Sequence, residues 1–182
     1  MASVLVPLAQ GCEELEAVTV VDLLRRAGIG VVTAGLDDQP VRASRGVVLI
    51  PDATLDEALK QQYDMVILPG GLPGADYLNE DDRIRSLLTD MAQNNRYTAA
   101  ICAAPKVLAS VGLLGGRQAT SFPGVLDEFP AIDYRTEAVV EDEKVVTSRG
   151  PGTAMDFALV LIEKLVGADK RHEVEVGLQR PD

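Results

Sequence analysis

Short apolar runs rich in β-branched residues alternate along this chain with longer amphipathic segments, and this alternation restricts the fold more than any other feature. The apolar runs are typical of strands covered on both faces, and they lie at 3–8, 29–34, 47–50, 65–68 and 97–101. Helical spacing is found at 13–27, 55–59, 84–91, 102–114 and 153–165. The alternation predicts right-handed crossovers and a mainly parallel, doubly wound α/β sheet with helices on both faces. The spacing at 139–146 predicts a small β-hairpin with a charged tip.

Length and charge limit the organisation of the chain and its partners. The 182 residues contain no repeat, low-complexity tract or linker, so a single domain over 1–182 is expected. The formal net charge of -11 disfavours general binding to nucleic acids, which are polyanions. The longest uninterrupted apolar stretch, 157–162, is too short to cross a bilayer, and no membrane partner is expected. No signal-peptide pattern opens the sequence, so we expect a reducing, cytoplasmic location.

The chain contains one histidine, and this count excludes several kinds of site. His172 lies in a charged segment, which is typical of an exposed side chain without a partner. A histidine-rich metal site and a triad with imidazole as the base are therefore not expected. No glycine-rich phosphate-binding motif opens a helix, so the sequence predicts neither a metal nor a cofactor.

Three segments follow predicted strands and therefore meet at one edge of the predicted sheet. They are 9–11, 69–74 and Cys102. In open α/β sheets the ligand crevice lies beyond the carboxyl ends of the strands. Reactive groups in these segments are the candidates for a functional site.

Cys102 has the strongest claim among them. It lies where a strand meets a helix, and its small neighbours permit a sharp elbow of the kind that exposes a nucleophile. Unpaired amides at the start of a helix favour a thiolate and lower its pKa. The alternative is a buried cysteine that packs as a small apolar residue, and position alone does not decide between them. The other cysteine, Cys12, precedes Glu13 and Glu14, whose charges disfavour a thiolate.

Glu16 is the second candidate, because it heads an otherwise apolar helical stripe. Val20, Leu23 and Ala27 share its face at helical spacing. If desolvated, its carboxyl has a raised pKa and can donate a hydrogen bond to a thiolate. The alternative is a solvated first turn, and spacing alone favours that alternative.

Other polar segments have simpler interpretations. The open turn at 70–71 offers backbone amides to a developing oxyanion. The segment 148–153 is expected to cap a helix rather than to bind an anion. The acidic clusters at 80–82 and 141–143 are expected to be solvated tips.

Five motifs together resemble the ThiJ/PfpI superfamily, in the branch of DJ-one and YajL. Their order and spacing cover nearly the whole chain, and the motifs are GCEELEAV at 11–18, ASRGV at 43–47, VILPGG at 66–71, AAICAAP at 99–105 and TSRGPGT at 147–153. Similarity to the bacterial members extends to 122–123 and 172–174. The resemblance implies a flavodoxin-like sandwich, a homodimer and a reactive cysteine at the elbow.

The resemblance also assigns roles to individual residues. The reactive cysteine of the superfamily corresponds to Cys102, and the carboxylic acid that hydrogen-bonds it corresponds to Glu16. Amides of Gly70, Gly71 and Ala103 correspond to the oxyanion-type pocket.

Arginines near the dimer interface and the site mouth correspond to Arg45 and to the Arg25–Arg26 pair. Phe122 stands where another member has a histidine near the cysteine, which removes the obvious general base and predicts slow turnover.

Two functions follow from the resemblance. In the first, Cys102 attacks methylglyoxal, glyoxal or their adducts on proteins, which gives glyoxalase or deglycase activity without a cofactor. In the second, peroxide oxidises Cys102 to sulfenic or sulfinic acid, and the protein acts as a redox-sensing chaperone for unfolded clients. A glutamine amidotransferase, which also has an elbow cysteine, requires a histidine that His172 is poorly placed to supply.

Overall fold

The computed structural model describes residues 1–180. Within them the backbone forms a set of strands that are numbered here in chain order. They are β1 (Ser3–Leu8), β2 (Gly30–Gly35), β3 (Val41–Arg42), β4 (Val48–Leu49), β5 (Ala53–Thr54), β6 (Met65–Leu68), β7 (Tyr97–Ile101), β8 (Gln118–Ala119), β9 (Asp133–Tyr134), β10 (Val139–Asp142) and β11 (Val145–Ser148).

The helices are short, and the two longest have 13 residues each. In chain order they are α1 (Glu14–Arg26), α2 (Leu55–Ala58), α3 (Gly74–Glu80), α4 (Asp82–Gln93), α5 (Pro105–Ser110), α6 (Ala154–Val166) and α7 (Ala168–Gly177). A 3₁₀ turn at Pro151–Thr153 leads into α6. None of the helices in residues 1–180 has the length and apolar character needed to cross a membrane.

Seven strands form the central sheet in the order β10-β11-β7-β6-β1-β2-β5. Every neighbouring pair is parallel except the hairpin of β10 and β11. The predicted fold class is confirmed: a mainly parallel, flavodoxin-like sheet with one small hairpin.

Residues alternate between the two faces of the sheet, as the twofold periodicity of a strand requires. On β1, Val4 and Val6 belong to one buried apolar cluster, and Leu5 belongs to the other. The first cluster contains side chains of α1 and α6, and the second contains side chains of α2 to α5. Both faces of the sheet are therefore covered, which explains why its strands are almost continuously apolar.

Three elements differ from the prediction for physical reasons. The run at 47–50 is not part of the central sheet, because β4 pairs with β3 in a separate antiparallel hairpin. Helix α7 lies in a segment that shows no apolar stripe, and it is held by the buried Val174 and by packing on α6. The acidic cluster at 80–82 is not a free tip, because Asp81 accepts a hydrogen bond from the amide of Arg83 at the start of α4.

The strand order reverses between β1 and β6. From β1 the chain first adds β2 and β5 on one side of the sheet. It then crosses to the other side of β1, where it adds β6, β7 and β11 in turn. At such a switch point the loops after the two central strands separate and leave a crevice. Here those loops contain Gly11, Cys12 and the turn at Gly70 and Gly71, beside the end of β7.

Candidate active site

Cys102 occupies a strained elbow immediately after β7. Its φ angle is +64°, in the left-handed region that costs most residues about 1–3 kcal/mol. Two backbone hydrogen bonds hold it there: its N–H donates to the carbonyl of Ser148 at 3.0 Å, and its carbonyl accepts from the amide of Phe122 at 2.8 Å. These bonds fix the backbone from which the partly buried thiol projects.

The glycine turn after β6 passes unusually close to the elbow. A Cβ atom on Gly70 would lie 2.6 Å from the Cβ of Cys102, which is shorter than any tolerable contact. Gly71 has a φ of +87°, and a Cβ there would lie 2.4 Å from the amide nitrogen of Glu13. Both positions require glycine, because backbone must approach backbone here.

The amides of this region divide between two side chains. Those of Gly71 and Ala103 lie close enough to the sulfur of Cys102 to lower the pKa of its thiol and favour its ionised form. The amide of Gly70 donates instead to Oε2 of Glu16 at 2.8 Å. This bond contradicts the expectation that Gly70 is an oxyanion donor. The oxyanion role of Gly71 and Ala103 stays a prediction.

Glu16 is fully buried, so the alternative of a solvated first turn is wrong for this residue. Its Oε1 has no hydrogen-bond partner among residues 1–180. The thiol of Cys102 lies close enough to the carboxyl to influence its pKa. Burial raises the pKa of Glu16 to about 7, although the amide of Gly70 and the thiol of Cys102 oppose the rise. Near neutral pH this carboxyl can therefore hold or release a proton beside the sulfur.

The thiol of Cys102 is not acidic, in contrast to the expectation from its position before a helix. Burial, followed by the charge of Glu16 and the hydrogen bond to it, raises the pKa of Cys102 to about 12. The amides of Gly71 and Ala103 act in the opposite direction but are outweighed. Since an ionised Glu16 is one cause of the rise, a thiolate at Cys102 requires a protonated Glu16.

Glu13 and Glu14 are also nearly buried, and they organise the turn that follows β3. Glu14 accepts hydrogen bonds from the hydroxyl of Ser44 at 3.0 Å and from the amides of Arg45 at 2.9 Å and Val47 at 3.4 Å. Burial opposes ionisation of Glu14, but these hydrogen bonds outweigh it and hold its pKa below the ordinary value. The carboxylate of Glu14 is thus the anchor of the turn.

The three arginines that the resemblance assigns to the interface and the site mouth lie in two different parts of the structure. Arg45 lies on the turn anchored by Glu14, with its side chain exposed. Arg26 lies ten residues beyond Glu16 on α1, about 15 Å away along the helix axis, and pairs with Asp22 at 3.1 Å. Arg25 pairs with Asp52 at 2.7 Å. Within one chain, therefore, the structure does not bring Arg26 to the site mouth.

Cys12 is on the opposite side of the glycine turn and is 1% exposed. Burial, followed by the charges of Glu14 and Glu13, raises the pKa of its thiol to about 12. Unlike Cys102, it has no amide donors other than its own backbone to favour a thiolate. The prediction that Cys12 is an unreactive thiol is consistent with this placement.

The segment at 148–153 supports the elbow in a way that sequence reasoning missed. Ser148 provides the carbonyl that holds Cys102, and its hydroxyl lies 2.7 Å from that of Thr153. Thr153 in turn accepts from the amide of Gly150 at 3.2 Å, within the 3₁₀ turn. The expected side-chain cap of α6 is not formed, because Thr153 makes no capping hydrogen bond to that helix. Within residues 1–180, no three His, Cys, Asp or Glu side chains are grouped as a set of metal ligands.

Comparison with known proteins identifies the family of this chain. The profile of the DJ-1/PfpI family matches residues 2–164. The chain belongs to the DJ-1/PfpI family. The Parkinson disease protein 7 homolog of Danio rerio is 45% identical over 179 residues, which cover 96% of this chain and 95% of that protein.

Two further members of the DJ-1/PfpI family carry information on chemistry. The glutathione-independent glyoxalase DJR-1.2 of Caenorhabditis elegans is 34% identical over 175 residues, covering 95% of this chain and 92% of that protein. The solved structure of Toxoplasma gondii DJ-1 in an oxidized form has a TM-score of 0.96 and 38% identity, and the two chains are covered completely. A glyoxalase and an oxidized protein therefore both occur among the relatives.

Proposed function

We propose that this protein protects the cell against reactive carbonyls and oxidative stress, and that it consumes α-oxoaldehydes such as methylglyoxal and glyoxal without a cofactor. The observation that carries the proposal is the fully buried Glu16 beside the partly buried Cys102, with the amides of Gly71 and Ala103 favouring a charge on the sulfur. One group supplies a nucleophile and the other a proton that can be moved near pH 7. A glutathione-independent glyoxalase among the relatives supports the same activity.

The first step is attack of the Cys102 thiolate on the aldehyde carbon of methylglyoxal. A bond forms between sulfur and carbon, and the electron pair of the carbonyl double bond moves onto oxygen. The amides of Gly71 and Ala103 stabilise the negative charge, first on sulfur and then on the adjacent oxygen. Protonated Glu16 donates its proton to this oxygen, which leaves a hemithioacetal and a Glu16 carboxylate.

The Glu16 carboxylate then acts as the base. It removes the proton from the former aldehyde carbon, and the resulting enediol is protonated at the neighbouring carbon, which gives a lactoyl thioester on Cys102. Water hydrolyses the thioester and restores the thiol. The balance is one methylglyoxal and one water consumed for each lactic acid formed, with no external oxidant or reductant.

Adducts of these aldehydes on proteins offer the same carbon to the thiol. Hemithioacetals and aminocarbinols release their aldehyde reversibly, and attack by Cys102 would remove it as the acid. This deglycase activity, of hydrolase or lyase type, is the extension of the proposal to glycated proteins as partners.

A redox-sensing role is the second candidate, and a specific observation favours it. A relative that covers the complete chain has been solved in an oxidized form. Peroxide would transfer one oxygen to Cys102 to give sulfenic acid and water, and a second peroxide would give sulfinic acid. Protonated Glu16 would donate a hydrogen bond to the oxidised anion, and the oxidised protein would protect unfolded clients.

The deciding experiment compares wild type with Cys102→Ser and with the matched control Cys12→Ser in methylglyoxal consumption. We expect Cys102→Ser to lose at least about 100-fold in kcat/KM and Cys12→Ser to stay within about twofold. Equal consumption by wild type and Cys102→Ser would exclude the glyoxalase proposal. Mass spectrometry after mild peroxide tests the second role, which fails if Cys12 is oxidised and Cys102 is not.

A further inference from the structure

Helices α3 and α5 are joined by polar side chains that the mechanism does not use. Lys106 forms an ion pair with Asp76, and the hydroxyl of Ser110 hydrogen-bonds the side chain of Asn79. The guanidinium group of Arg85 donates hydrogen bonds to the same two side chains, to Ser110 Oγ at 3.2 Å and to Asn79 Oδ1 at 3.4 Å. We refer to Asp76, Asn79, Lys106 and Ser110 as the α3–α5 clamp, which Arg85 of α4 supports.

The clamp has a regular arrangement that extends along both helices. Asp76 and Asn79 are three residues apart on α3, and Lys106 and Ser110 are four apart on α5, so each pair lies on one helix face. Beneath it, Leu78 and Val107 are fully buried in the same apolar cluster. The side chain of Lys106 is 24% exposed, against 67% for Lys60 in the surface pair with Glu57. The clamp is therefore screened less by solvent than an ordinary surface ion pair.

Each of the two clamped helices begins beside one of the amides that contact the sulfur. Gly71 precedes α3 by three residues, and its carbonyl accepts a hydrogen bond from the amide of Ala75 at 2.9 Å. Ala103 precedes α5 by two residues, and the next carbonyl, of Ala104, accepts from Val107 at 2.9 Å. A shift of either helix therefore moves the corresponding amide.

We propose that the α3–α5 clamp is a positioning device for the active site, which sets the separation of the Gly71 and Ala103 amides and so the stability of the Cys102 thiolate. None of its side chains contacts the sulfur, so they act only through the backbone of the two helices. This inference rests on the proposed function only in taking the thiolate as the reactive form. It adds Asp76, Asn79, Lys106 and Ser110 to the residues on which the reaction depends.

A direct effect of charge is the competing explanation, because Lys106 lies four residues after the cysteine. Its ammonium group would stabilise a thiolate by attraction alone, without any role for Asp76. The clamp and the direct charge make opposite predictions for an exchange of the two residues. Asp76→Lys combined with Lys106→Asp keeps the ion pair but reverses the charge nearest to the cysteine.

The experiment measures alkylation of Cys102 by iodoacetamide against pH, with the Cys102 peptide quantified by mass spectrometry. We expect Asp76→Ala and Asn79→Ala to slow alkylation at pH 7 by about three- to tenfold and to move the profile to higher pH, since one unit of thiol pKa is a tenfold change in thiolate. The double exchange should return the rate to within about twofold of wild type. Glu57→Ala, which breaks the exposed pair with Lys60, is the matched control and should leave the profile in place.

Three results would overturn the proposal. One is an unchanged alkylation profile in both single variants, even if their melting temperatures fall, because the clamp would then be structural only. Another is a double exchange that reacts more slowly than Asp76→Ala, which would assign the effect to the charge of Lys106. The third is a shift of the alkylation profile in Glu57→Ala as large as that in Asp76→Ala. Since alkylation needs no turnover, absence of methylglyoxal consumption in wild type would contradict the proposed function and leave this test intact.

Discussion

At the scale of single residues, the chemistry depends on one proton shared between Glu16 and Cys102. The carboxyl has a pKa of about 7 and the thiol a pKa of about 12 while its neighbour is ionised. Between these values the pair carries one negative charge, either on oxygen or on sulfur. The amide of Gly70 favours oxygen, and those of Gly71 and Ala103 favour sulfur. A carboxylic acid thereby takes the place that imidazole has in many cysteine enzymes.

Replacement of Glu16 by Gln should separate reactivity from turnover. Glu16→Gln removes the charge that raises the pKa of Cys102, so alkylation at pH 7 should become faster. Methylglyoxal turnover should fall by about 100-fold, because the amide cannot carry the proton between carbon and oxygen. In wild type, kcat/KM should rise as the pH increases through about 7, where the pair loses its first proton, and this step should be absent in the variant. Wild-type turnover by Glu16→Gln would contradict the mechanism.

Phe122 offers a position at which an imidazole can be added to test whether proton transfer by Glu16 alone limits turnover. Its amide donates a hydrogen bond to the carbonyl of Cys102 at 2.8 Å, and the residue is 51% exposed. Phe122→His should raise kcat for methylglyoxal by about tenfold, because a positioned imidazole contributes to proton transfer. Phe122→Leu is the control, since it changes the ring without adding a base. A rate for Phe122→His no higher than that for Phe122→Leu would show that proton transfer does not limit turnover.

At the scale of elements, the turn at 43–47 depends on a carboxylate from another element. Ser44 also donates to Glu13 at 2.8 Å, so two acids of the α1 start hold one turn. Because the pKa of Glu14 is lowered in the folded protein, its contribution to stability is complete above the unfolded value of 4.5. That contribution is lost as the pH falls through the lower, folded pKa.

Glu14→Gln should therefore destabilise the protein at pH 7 and less so in acid. A hydrogen bond to a charged acceptor contributes about 1.5–3 kcal/mol to stability. We therefore expect Glu14→Gln to lower the free energy of unfolding by about 2 kcal/mol. Denaturant unfolding at pH 7 and near pH 3 measures the difference, with the exposed Glu57→Gln as the control. A difference from wild type that stays constant over this range would mean that ionisation of Glu14 does not stabilise the turn.

The sequence predicts those strands and helices whose own residues show a clear pattern of apolar side chains. The strands β1, β6 and β7 agree with the predicted bounds to the residue, because each is a mostly apolar run bounded by polar or turn-forming residues. Helix α3 was missed, since it has seven residues and follows a glycine-rich turn that masks its start. Helix α7 was missed because its packing on α6 involves one buried side chain, Val174, and no periodic stripe.

In the candidate site, too, the sequence predicts the local features but not the contacts between distant parts of the chain. The elbow at Cys102 is a local feature, and small neighbours reveal it. Periodicity does not separate Glu16 from Glu13 and Glu14, since all three lie at the start of α1. The deciding bond joins Glu16 to Gly70, 54 residues away. The lowering of the thiol pKa expected from the helix position was wrong, because the burial and the acid that oppose it come from other parts of the chain.

At the scale of the whole molecule, one side remains apolar and uncovered. Its members come from α1 and from the segment around β4, and they are Leu15, Val18, Val47, Val48 and Ile50, each about half exposed or more. Val18 and Ile50 both line one groove of about 310 Å³. Exposed apolar side chains that share a groove mark an interaction site. Since two copies with a net charge of -11 repel each other, such a face supplies the attraction that a homodimer requires.

We expect this face to be the interface of the predicted homodimer. Wild type should sediment with twice the mass of one chain, and Val18→Asp combined with Ile50→Asp should sediment as a monomer, because dimerisation would bury unpaired carboxylates. Met155→Asp, at an exposed apolar position on α6, is the control and should remain dimeric. The segment that carries Val47 and Val48 continues from the turn held by Glu14, so this interface would extend to the loop of Arg45, which the resemblance places at the site mouth. A dimer that persists in the double variant would place the interface elsewhere and leave Arg45 without a partner-facing role.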